Sequence, residues 1–473
     1  MILTLDLGTT STKAVLWDDG GPVAVGRGLV ATASPQPGWA EQDPEDWWRA
    51  VVSACAEAAT IAGRAAWRQA GGAVFSSARE TLVPVDASGH ALRPALLWSD
   101  RRAGDQAAAR CAAGGGVEAL RQVTGVVVDA GATAAKADWL AAQEPDVLAR
   151  TRWLLGPRDL IVQRLTGNVA TDVTLASRTG WYAIDGGPVS DAPSALLPPV
   201  LASTAIAGEL LAEPAAALDL PAGLPIVLGA GDRACEVLGV GAGAGVPMVS
   251  WGTTANVSLA VSAPPPALPP GVALSAGALS GHLLECGLSA AGAALDWLAV
   301  LTGRSPMELA DQAVGSPPGA RGVVATCWFN GARAPWWDPT GRAAFLGLSV
   351  AHGPADLARA LIEAVAFDVA RSLDALGQGR GTLAAAGAGG ALDLWTSVLG
   401  GVTGCRVERR RTELAASAGA LLVAGAALGL RVDLDAVNPV ADVVAPDPAA
   451  VAQYRTLRSR SDRVAHRVLE AGL

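Results

Sequence analysis

The sequence predicts an α/β protein of two domains of similar design, on three observations. Its 473 residues exceed what a single ordinary core organises. Apolar strand-like runs alternate with helical stretches and Gly/Pro turns along the whole chain. A strand–turn–strand unit near the start, TLDLGTTSTKAVL, is echoed by MVSWGTTANVSLAV after Pro247, with Gly8 and Gly252 as counterparts.

Taken in order, residues 2–7 read as a strand, 8–11 as a turn and 13–18 as a second strand. Asp19-Gly20-Gly21 then turns the chain into a third strand over 22–30. Asp43-Pro44 suits a helix start, and an Ala/Trp helix is expected over 45–70. Further on, an apolar strand at 225–228 leads through Gly229-Ala230-Gly231-Asp232-Arg233 into a helix over 234–240. The glycine-rich stretch 239–247 is a natural hinge, dividing the chain into domains 1–240 and 241–473. Residues 384–404 read as a strand, a glycine-rich turn and a helix beginning near Leu392. A closing helix around 449–469 carries many arginines on a solvated face.

Composition bounds the function. The chain is 51% hydrophobic and 17% charged, which supports large cores and excludes a disordered protein. Its mean hydropathy of +0.34 comes mostly from alanine and valine. The longest apolar run, 414–430, is interrupted by Gly and Ser and reads as a buried helix rather than a membrane span. MILTLDLGTT shows no signal-peptide pattern, and the six cysteines are scattered without a C-x-x-C pair. A cytoplasmic protein with reduced core cysteines is expected. The net charge of −9 argues against nucleic acid. His90, His282, His352 and His466 share no metal-binding spacing.

Three constellations bear chemistry. In the first, Asp6-x-Gly8-Thr9-Thr10-Ser11-x-Lys13, a turn of backbone N–H groups can cradle phosphate while hydroxyls and Lys13 add donors. Asp6, at the strand end, is placed to hold Mg²⁺ through water. An ordinary hairpin is the competing reading; the second turn, Gly252-Thr253-Thr254, makes paired phosphate loops for ATP the better one. The second constellation is the turn with Gly387, Gly389 and Gly390, a backbone platform for adenosine or a structural turn. No G-x-x-x-x-G-K-[ST] loop is present. The third is Asp232 between a strand and a helix, where it reads either as a helix cap or as the base that takes a hydroxyl proton in phosphoryl transfer.

The runs DLGTTSTKAVLWD, GWAEQDPEDWW, ALLWSDRR, LPIVLGAGDRACEVLGVG, VSWGTTANVSLA, GLSAAGAALDWL, GARAPWWDPTGRAAFLGLS and AGAGGALDLWTSVLGGVTG together resemble the FGGY carbohydrate kinases across essentially the whole chain. The resemblance implies the two-domain actin/Hsp70-like (ribonuclease H-like) ATPase fold with an interdomain cleft. It implies that Gly8, Thr9, Thr10, Gly252 and Thr253 line the phosphates, that Gly387, Gly389 and Gly390 border adenosine, and that Asp232 is the base. The sugar is expected on the N-terminal domain and ATP on the C-terminal one, with closure limiting wasteful hydrolysis.

For the acceptor, SSARETLVPVD places Arg79 and Glu80 at the key pair, resembling glycerol kinase, as does LWSDRRA around Asp100. Where glycerol kinases carry an aromatic residue this chain has Gly131 and Ala132, which leaves room for a longer open-chain acceptor. TDVTLASRTGWY resembles the sugar-kinase branch, so a xylulose-like ketose is the expected substrate, with glycerol or another polyol as the alternative; an acylated or carboxylated acceptor with Arg79 as its anion partner, and a purely structural Arg79–Glu80 pair, are the other readings. An inert sugar sensor or a filament-forming ATPase on the same fold is the reading from a different class. Lys136 and the tryptophans Trp47, Trp48, Trp336 and Trp337 are expected to be structural; Glu285 and Asp296 are expected to frame a helix start, either contacting the cleft or capping the helix. The expected partners are a small sugar or polyol, with a homodimer as the allowed assembly and no nucleic acid or membrane.

Overall fold

The computed structural model describes residues 1–243, 245–378 and 381–472. Two main sheets among them carry the repeat. In the first, β1 (Ile2–Leu7), β2 (Ser11–Asp18), β3 (Gly21–Leu29), β4 (Ala73–Ser77), β5 (Ile206–Glu209) and β6 (Pro225–Gly231) lie in the order β5-β6-β4-β1-β2-β3. The first three strands form an antiparallel meander, whereas β4 and β6 run parallel to β1. The second sheet comprises β7 (Met248–Trp251), β8 (Ala255–Val261), β9 (Ala273–Ala276), β10 (His282–Gly287), β11 (Thr382–Ala386), β12 (Arg406–Arg410) and β13 (Val440–Val444). Its order is β9-β10-β8-β7-β11-β12-β13. Again β7, β8 and β10 are antiparallel neighbours, while β11 and β12 run parallel to β7. The two Gly-Thr-Thr units are thus the same hairpin at the same place in two sheets. They differ in length: four residues separate Leu7 from its partner Thr12, but three separate Trp251 from Ala255.

The first strand is a nearly continuous apolar run because both its faces are covered. Leu3, Leu5 and Leu7 enter one core and Ile2 enters another, while the Trp17 indole donates to the Thr4 hydroxyl at 2.9 Å. Helix α1 (Pro44–Ala62) covers the outer face, capped by Asp43, whose carboxylate accepts the Glu45 amide. Ala50 and Ala54, one turn apart on α1, lie flush against Gly28 and Gly26 of β3. A Cβ on either glycine would stand 2.0 Å from the facing carbonyl oxygen. The helix expected over 45–70 breaks at Gly63, where φ is 78°, and resumes as the single turn Arg64–Trp67.

Helix α2 (Asp232–Gly239) leaves the end of β6. In the second half, α3 (Pro354–Ala375) and α4 (Asp393–Thr403) fill the large core, α5 (Ala415–Leu428) follows β12, and α6 (Pro448–Glu470) closes the chain. Helices α2 and α5 are counterparts, and they cross between the two sheets. At the crossing a Cβ on Gly239 would stand 1.8 Å from the Ala415 carbonyl oxygen, and one on Gly419 would stand 1.7 Å from that of Cys235. Val74 and Val227 of the first sheet and Met248 and Ala384 of the second pack around Ala418 and Leu421. Most of the apolar run 414–430 is therefore a helix covered from both sheets, with Ala426 its one exposed residue. Among the described residues no helix is long and apolar enough to cross a membrane. All six cysteines are buried. Ala244, inside the expected hinge 239–247, lies outside the described residues.

A second junction ties the halves together. The edge strand β9 reaches the first half through backbone, with the Leu274 amide donating to the Gly125 carbonyl at 2.7 Å and the Ala276 amide to the Ser177 hydroxyl at 3.0 Å. The Arg121 guanidinium donates to the carbonyls of Val272 and Leu268.

Gly419→Ala is expected to destabilise the protein by roughly 1–3 kcal/mol through forced separation of the crossed helices. Gly104→Ala, where the added methyl has nothing within 4 Å, serves as the control. Thermal unfolding of the two variants checks this; equal midpoints would remove the crossing as a constraint.

Candidate active site

Parallel strands β4 and β6 end side by side, with Ser77 opposite Gly231. The residues that follow them, 78–80 and Asp232, open into a cavity of about 270 Å³ between the halves. Ligand sites form outside the carboxyl ends of parallel strands because side chains there project beyond the sheet. Gly231 permits the geometry: a Cβ at that position would stand 2.9 Å from the Arg79 side chain. The second half contributes Thr254 and Asn256 from β7–β8, Glu285 from β10, and Arg333 with Trp337.

Charge in this cavity is paired across the halves. Arg79 donates through Nη1 and Nη2 to the Glu285 carboxylate at 2.8 and 2.9 Å, and its Nε lies 3.5 Å from Asp232 Oδ1. Glu285 is 4% exposed and also accepts the Ser275 hydroxyl at 2.6 Å. Burial penalises its charge, yet the guanidinium groups of Arg79 and Arg178 hold its carboxyl well below the usual carboxylate range. Glu80 sits at a positive φ of 61° and accepts Arg178 Nε at 2.9 Å. Its carbonyl accepts Lys136 Nζ at 2.6 Å, and burial pushes that ammonium group down to about 7. Asp232 is the first residue of α2, with Gly231 at the cap position. Among the described residues its carboxylate accepts the neighbouring Arg233 amide alone, at 2.7 Å, and stays 48% exposed beside the cavity. A capping aspartate would sit one residue earlier and bond one turn in. Asp232 is therefore available for chemistry.

The two Gly-Thr-Thr hairpins flank α2. From the first, Asp6 accepts the Ser76 hydroxyl at 2.9 Å and lies 3.6 Å from Lys13 Nζ. Burial raises its carboxyl, Lys13 opposes that, and Asp232 and Glu236 add to the rise. From the second, Ser250, which stands where Asp6 stands in the first copy, donates to Glu236 at 2.7 Å. Thr9 accepts the Trp98 indole at 2.9 Å, Thr10 is exposed, and Ser11 begins β2. Gly252, Thr253 and Thr254 are exposed, and the Gly252 and Thr253 carbonyls accept the amides of Gly292 and Ala291. The turn with Gly387, Gly389 and Gly390 lies on the end of β7. A Cβ on Gly387 would stand 2.4 Å from the Trp251 carbonyl oxygen, and one on Gly389 equally close to the Trp251 ring. The Asp6 and Ser250 strand ends thus both face α2, and the glycine turn packs on the end of the second hairpin.

Comparison with known proteins decides the family. Residues 1–239 match the model for the FGGY family of carbohydrate kinases, N-terminal domain, and residues 248–428 match that family's C-terminal domain. The chain belongs to the FGGY family of carbohydrate kinases. It is a phosphotransferase acting on a sugar or polyol with ATP as donor. The chain is 31% identical to a xylulose kinase of Klebsiella pneumoniae over 489 aligned positions, covering 98% of each chain. It is 32% identical to a glycerol kinase of Methylibium petroleiphilum over 471 positions, covering 92% of each. The crystal structure of a xylulose kinase from Rhodospirillum rubrum superposes with a TM-score of 0.90 at 29% identity, covering 100% of this chain and 99% of that one.

Within this FGGY kinase, Asp100 stands apart from the cavity. It is 0% exposed, accepts the Ala40 amide at 2.7 Å and pairs with Arg102 at 2.8 Å. Its carboxylate is spent holding the 98–102 segment, which presents Trp98 and Arg101 to the cavity instead. Glu285 lies mid-strand in β10 rather than framing a helix start, and Asp296 is exposed on the helix Gly292–Thr302. Trp337, expected to pack, lines the cavity, whereas Trp336 packs against Trp328. Sequence reasoning did not single out Trp98, Arg101, Asp129, Arg178, Asn256 or Arg333. All but Asp129 stood inside runs quoted for the family. The available signal was a charged, polar or aromatic side chain within an otherwise Ala- and Gly-rich stretch.

Glu285→Gln leaves Arg79 buried without its counter-charge, at an expected cost of about 3–5 kcal/mol near neutral pH. A carboxyl depressed in the folded state stabilises above its unfolded value, near 4.5, and that contribution disappears as pH falls toward the folded value. The variant's melting temperature is expected to be lower at pH 7 and to fall less on acidification than the wild type's. Parallel melting curves from pH 7 to 3 would count against the pair.

Proposed function

We propose that this kinase transfers the γ-phosphoryl group of ATP to a hydroxyl of an open-chain sugar longer than glycerol, with Asp232 as the base. A xylulose-like ketose is the first neutral candidate. The observation that carries the reading is the half-exposed Asp232 carboxylate at the head of α2, beside the cavity that both halves line and next to Arg79. Domain 1–240 would supply most acceptor contacts, through Arg79, Glu80 and Trp98. Domain 241–473 would hold ATP over Gly252, Thr253, Thr254 and the turn with Gly387, Gly389 and Gly390.

Phosphoryl transfer asks the protein mainly for position and charge. Arg79, locked by Glu285, keeps its Nε toward Asp232 and orients the carboxylate toward the acceptor. Asp232 takes the hydroxyl proton as the O–P bond forms. Thr9, Thr10, Ser11 and Lys13 would offer donors to the transferred group, while the Gly8 amide is spent on the Ser11 carbonyl within the turn. Among the described residues no three acids gather into a direct metal cage, and Asp6, beside Lys13 at 3.6 Å, is the carboxylate left for a hydrated cation. Mg²⁺ would sit through water on Asp6 and neutralise phosphate charge. Room for the acceptor comes from Ala132, which lines the cavity where an aromatic ring would shorten it. That favours a chain of four to six carbons over glycerol, and the likeness to xylulose kinases supports a ketose.

Release of ADP with MgATP across xylulose, ribulose, xylitol, erythritol, glycerol and gluconate tests the reading. Asp232→Asn is expected to lower kcat by roughly 10²–10⁴ with KM for ATP within threefold. Near-normal turnover by that variant would remove Asp232 as the base. Arg79→Met is expected to raise the acceptor KM at least tenfold, measured on the best acceptor; an unchanged acceptor profile would place Arg79 outside the site.

A further inference from the structure

The charges lining the cavity do not all have partners. Arg79 is taken by Glu285, Arg178 by Glu80 and Arg101 by Asp129 at 2.9 Å. Arg333 is different: its guanidinium makes no ion pair and no side-chain hydrogen bond among the described residues. It lies against Gly287 and 5.5 Å from the Trp337 ring centroid. Arg178, although paired through Nε and Nη2, keeps its Nη1 buried without any acceptor. Arg333 therefore brings a half-buried cation without a counter-charge to the cavity, and Arg178 beside it a guanidinium with one N–H left over. Burying such donors without an acceptor costs free energy that an anionic ligand would recover.

We infer that the acceptor carries a carboxylate, held by Arg333 with Arg178, so that the preferred substrate is a linear sugar acid of four to six carbons rather than a neutral sugar. This rests on reading the cavity as the acceptor site. A planar, forked guanidinium matches a carboxylate through two parallel N–H bonds, and partial burial beside Trp337 strengthens each of them. The other anion in reach of the cleft is the γ-phosphate of ATP, but position argues against it. The charged groups whose fields act on Arg333 are Asp129, Glu80, Arg101 and Arg178, all on the acceptor side. Asp6 and Lys13, at the first Gly-Thr-Thr turn, do not line this cavity, and of the second turn only Thr254 does. Burial pulls the Arg333 group down from its usual range, in keeping with a cation that lacks its counter-ion. The acid end would then sit at Arg333 and the reacting hydroxyl at Asp232, which fixes the direction of the chain in the site.

Calorimetric titration of the full-length protein with gluconate and xylonate, against sorbitol and xylitol as neutral chains of equal length, tests the inference without requiring turnover. The acids are expected to bind at least tenfold more tightly than their neutral counterparts. In Arg333→Gln that preference is expected to fall below threefold, and Arg333→Lys, which retains the charge, is expected to recover part of it. Equal affinity for acids and neutral chains in the wild type would overturn the inference, as would a preference that survives Arg333→Gln. A variant whose only defect is a raised KM for ATP would overturn it too, because Arg333 would then serve the γ-phosphate. If the acids bind as expected but no acceptor in the panel shows Asp232-dependent turnover, the acid site stands and the kinase assignment of Asp232 falls.

Discussion

Two helices crossing at bare backbone hold the molecule in its working shape. Gly239 of α2 and Gly419 of α5 each present the other helix with an α-carbon that has no side chain, so the axes approach to carbonyl contact. That approach sets the separation of the two sheets, because β1, β4 and β6 on one side and β7 and β11 on the other pack around the same pair. It also aims the chemistry. With its C-terminal end pinned at Gly239, the eight-residue α2 projects its first residue roughly 12 Å away, toward the cavity. Asp232 thus inherits its position from a packing contact two turns distant, and the Asp6 and Ser250 hairpins take theirs from the sheets that the same contact holds apart.

Inside the cleft, geometry and electrostatics act together. Arg79 belongs to the first half and Glu285 to the second, and their paired hydrogen bonds span the cavity. Low exposure makes that pair strong and also makes the separation of its partners costly. Glu80 is fixed from three directions: by Arg178 at its carboxylate, by Lys136 at its carbonyl and by its own positive φ. Groups held this firmly would lose little freedom on binding a ligand in the cavity.

Much of this can be read directly in the residues. The echo of Gly-Thr-Thr announced two equivalent hairpins, and the apolar run 414–430 announced a buried helix; both follow from local periodicity and composition. Asp232 was visible as an acid between strand and helix, but whether it caps or reacts depends on a single residue of helix register, which local sequence does not set. Asp100 shows the opposite case. An acid beside two arginines looks like a ligand, yet Ala40, sixty residues upstream, and Arg102 absorb it. Glu285, Arg178 and Arg333 converge from three distant segments, and no spacing along the chain encodes that meeting. The break at Gly63 was written in the sequence, and the Ala-rich helical pattern around it masked the signal.

The two junctions between the halves are made of different materials. At the edge strand β9 the bond from Leu274 to Gly125 is main chain to main chain, and at the helix crossing the contact is backbone against backbone. The cavity, by contrast, is lined by side chains, Trp98, Arg101, Ala132 and Arg333 among them. Substitutions at those side chains leave the peptide groups at both junctions in place, whereas changes at Arg79, Glu285 or Arg121 would break contacts between the halves. Such a molecule can wander among substrates over evolutionary time while keeping one architecture, and its lineage is free to diversify at the pocket without first rebuilding the hinge.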